Sequence, residues 1–330
     1  MVLGALACPR HGAAAVLSST APAGLHRPGV RADRRPRFAA IFAALVVGAT
    51  AGATAAAAPI KAASIKIVAA ENFYGDIARQ IGGDRVAVAS ILSNPDQDPH
   101  EFEASPSTAR ALADAAIVIE NGAGYDPWAD RLLSASAPQS REVISVAALI
   151  HKNTGDNPHI WYDAGAVAAL ARGLADTLGR LDPAHQADYQ HRLANFETSL
   201  APLSEQIAAL RRKYAGTPVA ATEPVFGYMA DALSLRMHGR GFQIAVMNDT
   251  EPSAADISAF ENDIRSKTVK VLIYNSQTSD ALTRRMRALA QQAGVPVVGV
   301  TETEPQRKDY QAWMRSQLDA VDRALARPRR

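Results

Sequence analysis

The chain has 330 residues, 48% of them apolar and 21% charged, which is enough apolar material for a large core and excludes disorder over most of its length. The length favours two domains over one, and a single cysteine, Cys8, excludes a disulfide framework and a cysteine-based zinc site. The net charge of +2 is unevenly split: residues 1–58 hold six arginines and one acid, leaving −3 for residues 59–330, so the part expected to fold lacks the basic footprint of a nucleic-acid binder.

Residues 1–58 read as a secretory leader. A charged cluster, Arg34-Arg35-Pro36-Arg37, precedes a ten-residue apolar run (38–47), and small residues follow through Ala63. These are the three parts of a signal peptide. The apolar run is short for a bilayer span, although an uncleaved anchor is the alternative. Cleavage is expected between residues 53 and 63. No cysteine follows the run, so a lipoprotein is not expected. Residues 1–30 read as an over-long start. The mature chain is expected to be exported, soluble and cysteine-free.

Strands and helices then alternate. Residues 64–70 read as a buried strand, 71–81 as a helix closed by Gly82-Gly83, and 85–92 as a second strand. After a polar loop, Ser105-Pro106 supplies a cap and first-turn proline for a helix to about residue 114. Residues 116–120 read as a strand, 127–134 as a short helix, 142–150 as strand-like and 163–181 as an alanine-rich helix. This order implies a parallel sheet covered by helices.

From Tyr189 to Tyr214 apolar residues recur at spacings of 4 and 3, one stripe on a helix of about 30 residues. Pro202 lies within it and removes the bond to the Thr198 carbonyl, which predicts a kink. A coiled-coil arm is the alternative. The alternation resumes with strands at 218–221, 242–247, 269–274 and 295–300, and helices at 224–233, 253–267, 279–293 and 310–326. The expected fold is α/β: two lobes, each a parallel sheet flanked by helices, joined by one long kinked helix. The expected division is 59–183, 184–214 and 215–330.

In open parallel sheets ligands bind beyond the carboxyl ends of the strands. Four residues there attract attention: His100 in the loop after the second strand, His159 in Asn157-Pro158-His159-Ile160-Trp161, Glu223 after the strand ending at 221, and Glu302 after that ending at 300. Two imidazoles and two carboxylates make a competent site for a divalent first-row metal. Taken singly each has a plainer explanation, a solvated loop histidine or a helix N-terminal acid. Glu71 suits the helix-acid role, with a supporting place near the metal as the alternative. His151, His185, His191 and His238 carry no pattern. His100-Glu101-Phe102-Glu103-Ala104 begins like a metalloprotease helix but lacks the second histidine. No phosphate loop, nucleophile elbow or complete dinucleotide fingerprint is present.

The stretches AENFYGDIARQIGG (70–83), ILSNPDQDPHEFEASPS (91–107), ADAAIVIENGAGYDPW (113–128), NPHIWYD (157–163), ATEPVFGY (221–228) and VPVVGVTETEP (295–305) together resemble the periplasmic zinc and manganese solute receptors of ABC transporters, over nearly all of the mature chain. The resemblance implies two α/β lobes joined by a rigid helix, with one metal between them bound by His100, His159, Glu223 and Glu302. Dedicated zinc receptors carry a third histidine where Glu223 stands, and many have a His-rich loop where 151–156 is short. The last acid is more often aspartate, and Glu304 competes with Glu302 for that place.

The cargo implied is one divalent transition metal. Oxygen donors suit manganese and iron(II), while zinc binds more tightly to most such sites, which puts zinc and manganese level and iron behind them. Affinity should fall as pH drops through the histidine range, and release requires a small hinge or shear between lobes. The implied partner is an ABC permease, with contact only to that membrane complex, no nucleic acid, and the receptor a monomer in the periplasm. No enzyme activity is expected. The rival readings are an exported metal-dependent hydrolase and a surface adhesin.

Overall fold

The computed structural model describes residues 64–95, 99–135, 140–278 and 280–327. All belong to one unit, Pro59–Arg330. The leader, its cleavage region and the expected first residue of the 279–293 helix lie outside the described residues.

The first sheet is built from β1 (Ile65–Glu71), α1 (Asn72–Gly82), β2 (Val86–Leu92), α2 (Pro106–Asp114), β3 (Ile117–Glu120), α3 (Pro127–Ala135), β4 (Glu142–Ser145), the short α4 (Val146–Leu149) and α5 (Ala164–Leu181). Its strands are all parallel, in the order β2-β1-β3-β4. Such strands are covered on both faces and need continuous apolar runs; β3 is buried at every position. α1 buries Phe73, Tyr74, Ile77, Ala78 and Ile81, the spacing of one helical face. It closes at Gly83, whose φ of +60° suits a residue without Cβ. Ser105 caps α2 through the Thr108 backbone and forms a capping box with it.

The apolar stripe forms α6 (Gln186–Ser199) and α7 (Ala201–Tyr214). Leu200 between them keeps helical φ and ψ (−80°, −12°). Its backbone N–H donates to Phe196 O and its carbonyl accepts from Ser204 N. The helix is therefore long and bent, with the ladder interrupted where Pro202 removes a donor. Tyr189, Leu193, Phe196, Leu203 and Leu210 are buried in a single core across the bend.

The second sheet comes from β5 (Pro218–Ala221), α8 (Gly227–Ala232), β6 (Arg236–His238), α9 (Arg240–Met247), α10 (Ala254–Arg265), β7 (Leu272–Asn275), α11 (Ala281–Ala293), β8 (Val297–Val300) and α12 (Tyr310–Leu325). Its order, β6-β5-β7-β8, repeats that of the first, again all parallel. Residues 242–247, expected as a strand, are helical, and the strand lies just before them. Phe242, Ile244 and Val246 alternate in sequence, which mimics a strand. Phe242 and Val246 instead share one helical face, and Phe242 stacks on Phe260 with ring centroids 4.2 Å apart. Gly239, at φ +74°, makes the turn from β6 into α9. The 142–150 segment likewise is a strand only to Ser145 and then turns helical.

One core cluster reaches from Ile67 and Trp161 to Val219, Ile273 and Trp313 and so joins both sheets. The last helix, α12, returns to the first lobe. Its Trp313 ring lies 5.5 Å from that of Phe73, and its Tyr310 hydroxyl donates to Trp161 O at 2.7 Å.

Candidate metal centre

The carboxyl ends of β5, β7 and β8 set down three polar side chains. Glu223 follows β5 by two residues in extended backbone (φ −141°, ψ 159°), and Pro224 opens a tight turn after it. Asn275 is the last residue of β7. Glu302 follows β8 by two residues, and its backbone N–H donates to Gln277 Oε1 at 2.6 Å. From the first lobe, His159 enters on the loop between α4 and α5, just ahead of the buried turn Ile160–Tyr162. The Trp161 ring packs edge-on to the imidazole, centroids 5.3 Å apart.

His159, Glu223 and Glu302 converge. Each offers a ligand atom within 4.8 Å of the other two, and their exposures are 0%, 4% and 0%. His159 Nδ1 lies 2.6 Å from Asn157 Oδ1. The Asn157 amide is oriented by its other end, which donates to Pro224 O at 2.8 Å. Its oxygen therefore faces the ring and assigns the imidazole proton to Nδ1. In the neutral ring Nε2 then presents a lone pair; it has no hydrogen-bond partner and stands 3.5 Å from Glu302 Oε2. In that neutral form the contact joins two acceptors and is not an ion pair. A buried acceptor without a donor is costly, and a cation between these atoms would satisfy Nε2.

The carboxylates are held from behind. Asn275 Nδ2 donates to Glu223 Oε2 at 3.1 Å and also to Glu302 Oε1. The Tyr125 hydroxyl donates to Glu302 Oε2 at 2.8 Å. Burial first, and then the Glu302 carboxylate, holds the Tyr125 phenol well above its ordinary range, so it stays a donor. The sequence reading did not single out Asn157, Tyr125 or Asn275. Asn275 carried the clearest signal, because it ends a strand as Glu223 and Glu302 nearly do.

Glu71 and Glu304 fall elsewhere. Glu71 ends β1, fully buried, outside the converging trio. Burial, then the Asp126 and Glu120 carboxylates, pushes its own carboxyl well up. Burial likewise raises Glu120 to about 7 and Asp126 to about 6. Asp126 is tethered by the backbone N–H groups of Asn121 and Gly122, at 2.7 and 2.9 Å. Glu304 also lies outside the trio. Its backbone is pinned to Asn72 in both directions, and burial, then Asp76, raises its carboxyl to about 9. For His100 only the backbone is described, in the turn Pro99–Glu101; its side chain lies outside the described residues. His185 and His238 pair with Asp182 and Asp263, and His191 meets Asn195.

A family model for zinc-uptake complex component A, periplasmic, matches residues 67–324. Over 287 residues the chain is 21% identical to the manganese ABC transporter substrate-binding lipoprotein PsaA of Streptococcus mitis, covering 80% of this chain and 90% of that one. Among solved structures, the periplasmic zinc-binding protein TroA from Treponema pallidum aligns with TM-score 0.69 at 18% identity, over 80% of this chain and all of that one. FpvC of Pseudomonas aeruginosa, in complex with Ni2+, aligns with TM-score 0.65 at 20% identity, over 80% and 97%. These two likenesses establish the shared two-lobe α/β fold. The chain belongs to the family of the periplasmic zinc-uptake component, the solute receptors of metal ABC transporters.

Proposed function

We propose that this receptor captures one zinc or manganese ion between its lobes through His100, His159, Glu223 and Glu302, and delivers it to an ABC permease. The observation that carries the reading is the buried trio, with the bare Nε2 of His159 beside Glu302 and both carboxylates within 4.8 Å of the imidazole. Two carboxylates and two neutral imidazoles around a +2 ion leave the inner shell neutral, and the ligands must be deprotonated to bind. His100 enters this set on the sequence alone. Glu302, rather than Glu304, takes the fourth place because it stands beside His159.

The lobes run over 59–183 and 215–330, with 184–214 connecting them. Because one core joins both sheets, release proceeds by a small shear that parts His159 from the carboxylates. The leader sends a monomeric chain to the periplasm. Among the described residues no helix is long and apolar enough to cross a membrane. Enclosure of the trio favours capture over a hydrolase, which needs an open coordination position.

Metal-dependent melting tests the reading. At about 1,000 times Kd a bound ion adds about 4 kcal/mol of stability, and zinc or manganese should raise Tm strongly with no turnover of model esters or phosphates. His100→Ala and His159→Ala should each remove that rise while the metal-free proteins still fold. Variants that bind both metals like the wild type would sink the assignment.

A further inference from the structure

Asn275 stands between the two carboxylates and is 1% exposed. Its amide nitrogen has two hydrogens, and Glu223 Oε2 and Glu302 Oε1 each accept one. Its carbonyl oxygen accepts from the backbone N–H of Gln277 at 3.0 Å, which fixes which end of the amide faces the acids. The other oxygen of Glu302 takes the Tyr125 hydroxyl and lies on the His159 side. Both oxygens of Glu302 are thus engaged by protein donors, and they point in different directions.

We propose that Asn275 and Tyr125 are positioning residues that hold Glu223 and Glu302 to coordination through one oxygen each, and thereby tilt the site toward zinc over manganese. The inference rests on the metal-capture reading above. A carboxylate that chelates must turn both oxygens to the ion. For Glu302 that pulls Oε1 away from Asn275 and leaves a buried N–H without its charged acceptor, a loss larger than that of an ordinary hydrogen bond. Zinc is satisfied with four donors, one from each side chain. Manganese favours an oxygen-rich octahedral shell, and at a site with few side chains chelation is how the extra oxygens arrive. The clamp therefore penalises manganese more than zinc.

The test measures zinc and manganese dissociation constants by competition titration for the wild type, Asn275→Ala and Tyr125→Phe. X-ray absorption counts the light-atom neighbours of each bound ion. Wild-type zinc should show four, at about 2.0–2.1 Å. Asn275→Ala should narrow the preference for zinc about tenfold and add oxygen neighbours to manganese; Tyr125→Phe should act in the same direction, more weakly. Equal weakening of both metals by Asn275→Ala, with the preference intact, is what a merely structural role gives and would overturn the proposal. A wild-type manganese site already chelated by both carboxylates would overturn it as well. If Asn275→Ala does not fold, Tyr125→Phe decides, since it removes one hydroxyl and keeps the ring; an unchanged preference then rejects the idea. Failure of the wild type to bind either ion would reject the capture reading itself, and this proposal with it.

Discussion

In the first sheet the strand ends carry Glu71 at the end of β1 and Glu120-Asn121 across the end of β3; in the second, the matching places carry Glu223 after β5 and Asn275 at the end of β7. The strand orders are the same, so the backbone offers both lobes the same opportunity. The side chains use it differently. On the first side burial, with the nearby Asp126 carboxylate behind it, pushes the carboxyls of Glu71 and Glu120 up, and burial raises that of Asp126. On the second side a neutral amide sits between the two acids and donates to each. Asn121 performs a parallel task at one remove. It accepts the Tyr74 hydroxyl at 2.7 Å and donates to Pro158 O at 2.9 Å, which holds the backbone just ahead of His159. The same topological position thus yields buried carboxylates in one lobe and a buried scaffold beside the His159 imidazole in the other.

This contrast can be broken most sharply at the donors themselves. Glu302→Ala should reduce the metal-dependent Tm rise to a small residue, while Glu304→Ala should leave most of it, since Glu304 lies outside the trio; differential scanning of both variants with zinc checks the order. Asn157→Ala should come next. It frees the His159 ring to choose either tautomer, and loss of such an outer partner typically lowers metal affinity about 10- to 100-fold. Calorimetric titration should find zinc and manganese weakened alike, unlike the selective effect expected at Asn275.

The smallest effect concerns pH and the metal-free protein. Glu120 keeps its proton up to about 7 when folded, whereas the unfolded chain releases it near the ordinary carboxylate value. Between those values the folded state binds more protons, so stability is lost as pH rises through the window and levels off above it. Glu120→Gln should flatten this slope in urea titrations between pH 5 and 8. Glu304, raised to about 9, should extend a similar loss to higher pH, removable by Glu304→Gln. An unchanged slope in both variants would show that these carboxyls do not keep their protons.

Much of the architecture was legible in the sequence because buried parallel strands leave short apolar runs between helical stripes. Reading failed at 242–247, where Phe242, Ile244 and Val246 alternate like a strand and only the contact with Phe260 reveals a helix. At the centre, the strand-end rule led to Glu223 and Glu302, and the Asn-Pro-His-Ile-Trp motif to His159. What holds them was not visible. Tyr125 and Glu302 are joined across 177 positions of sequence, and the orientation of the Asn157 amide depends on a carbonyl in the other lobe. Such pairings arise from tertiary packing and leave no local pattern.

In the proposed capture, one cation is shared by His159 from one lobe and Glu223 and Glu302 from the other. Anomalous diffraction at the zinc edge from crystals of the metal-loaded protein tests it directly. A single peak is expected within about 2.0–2.2 Å of His159 Nε2 and of an oxygen of each carboxylate. A peak bound elsewhere, with those three side chains still in contact only with one another, would contradict it.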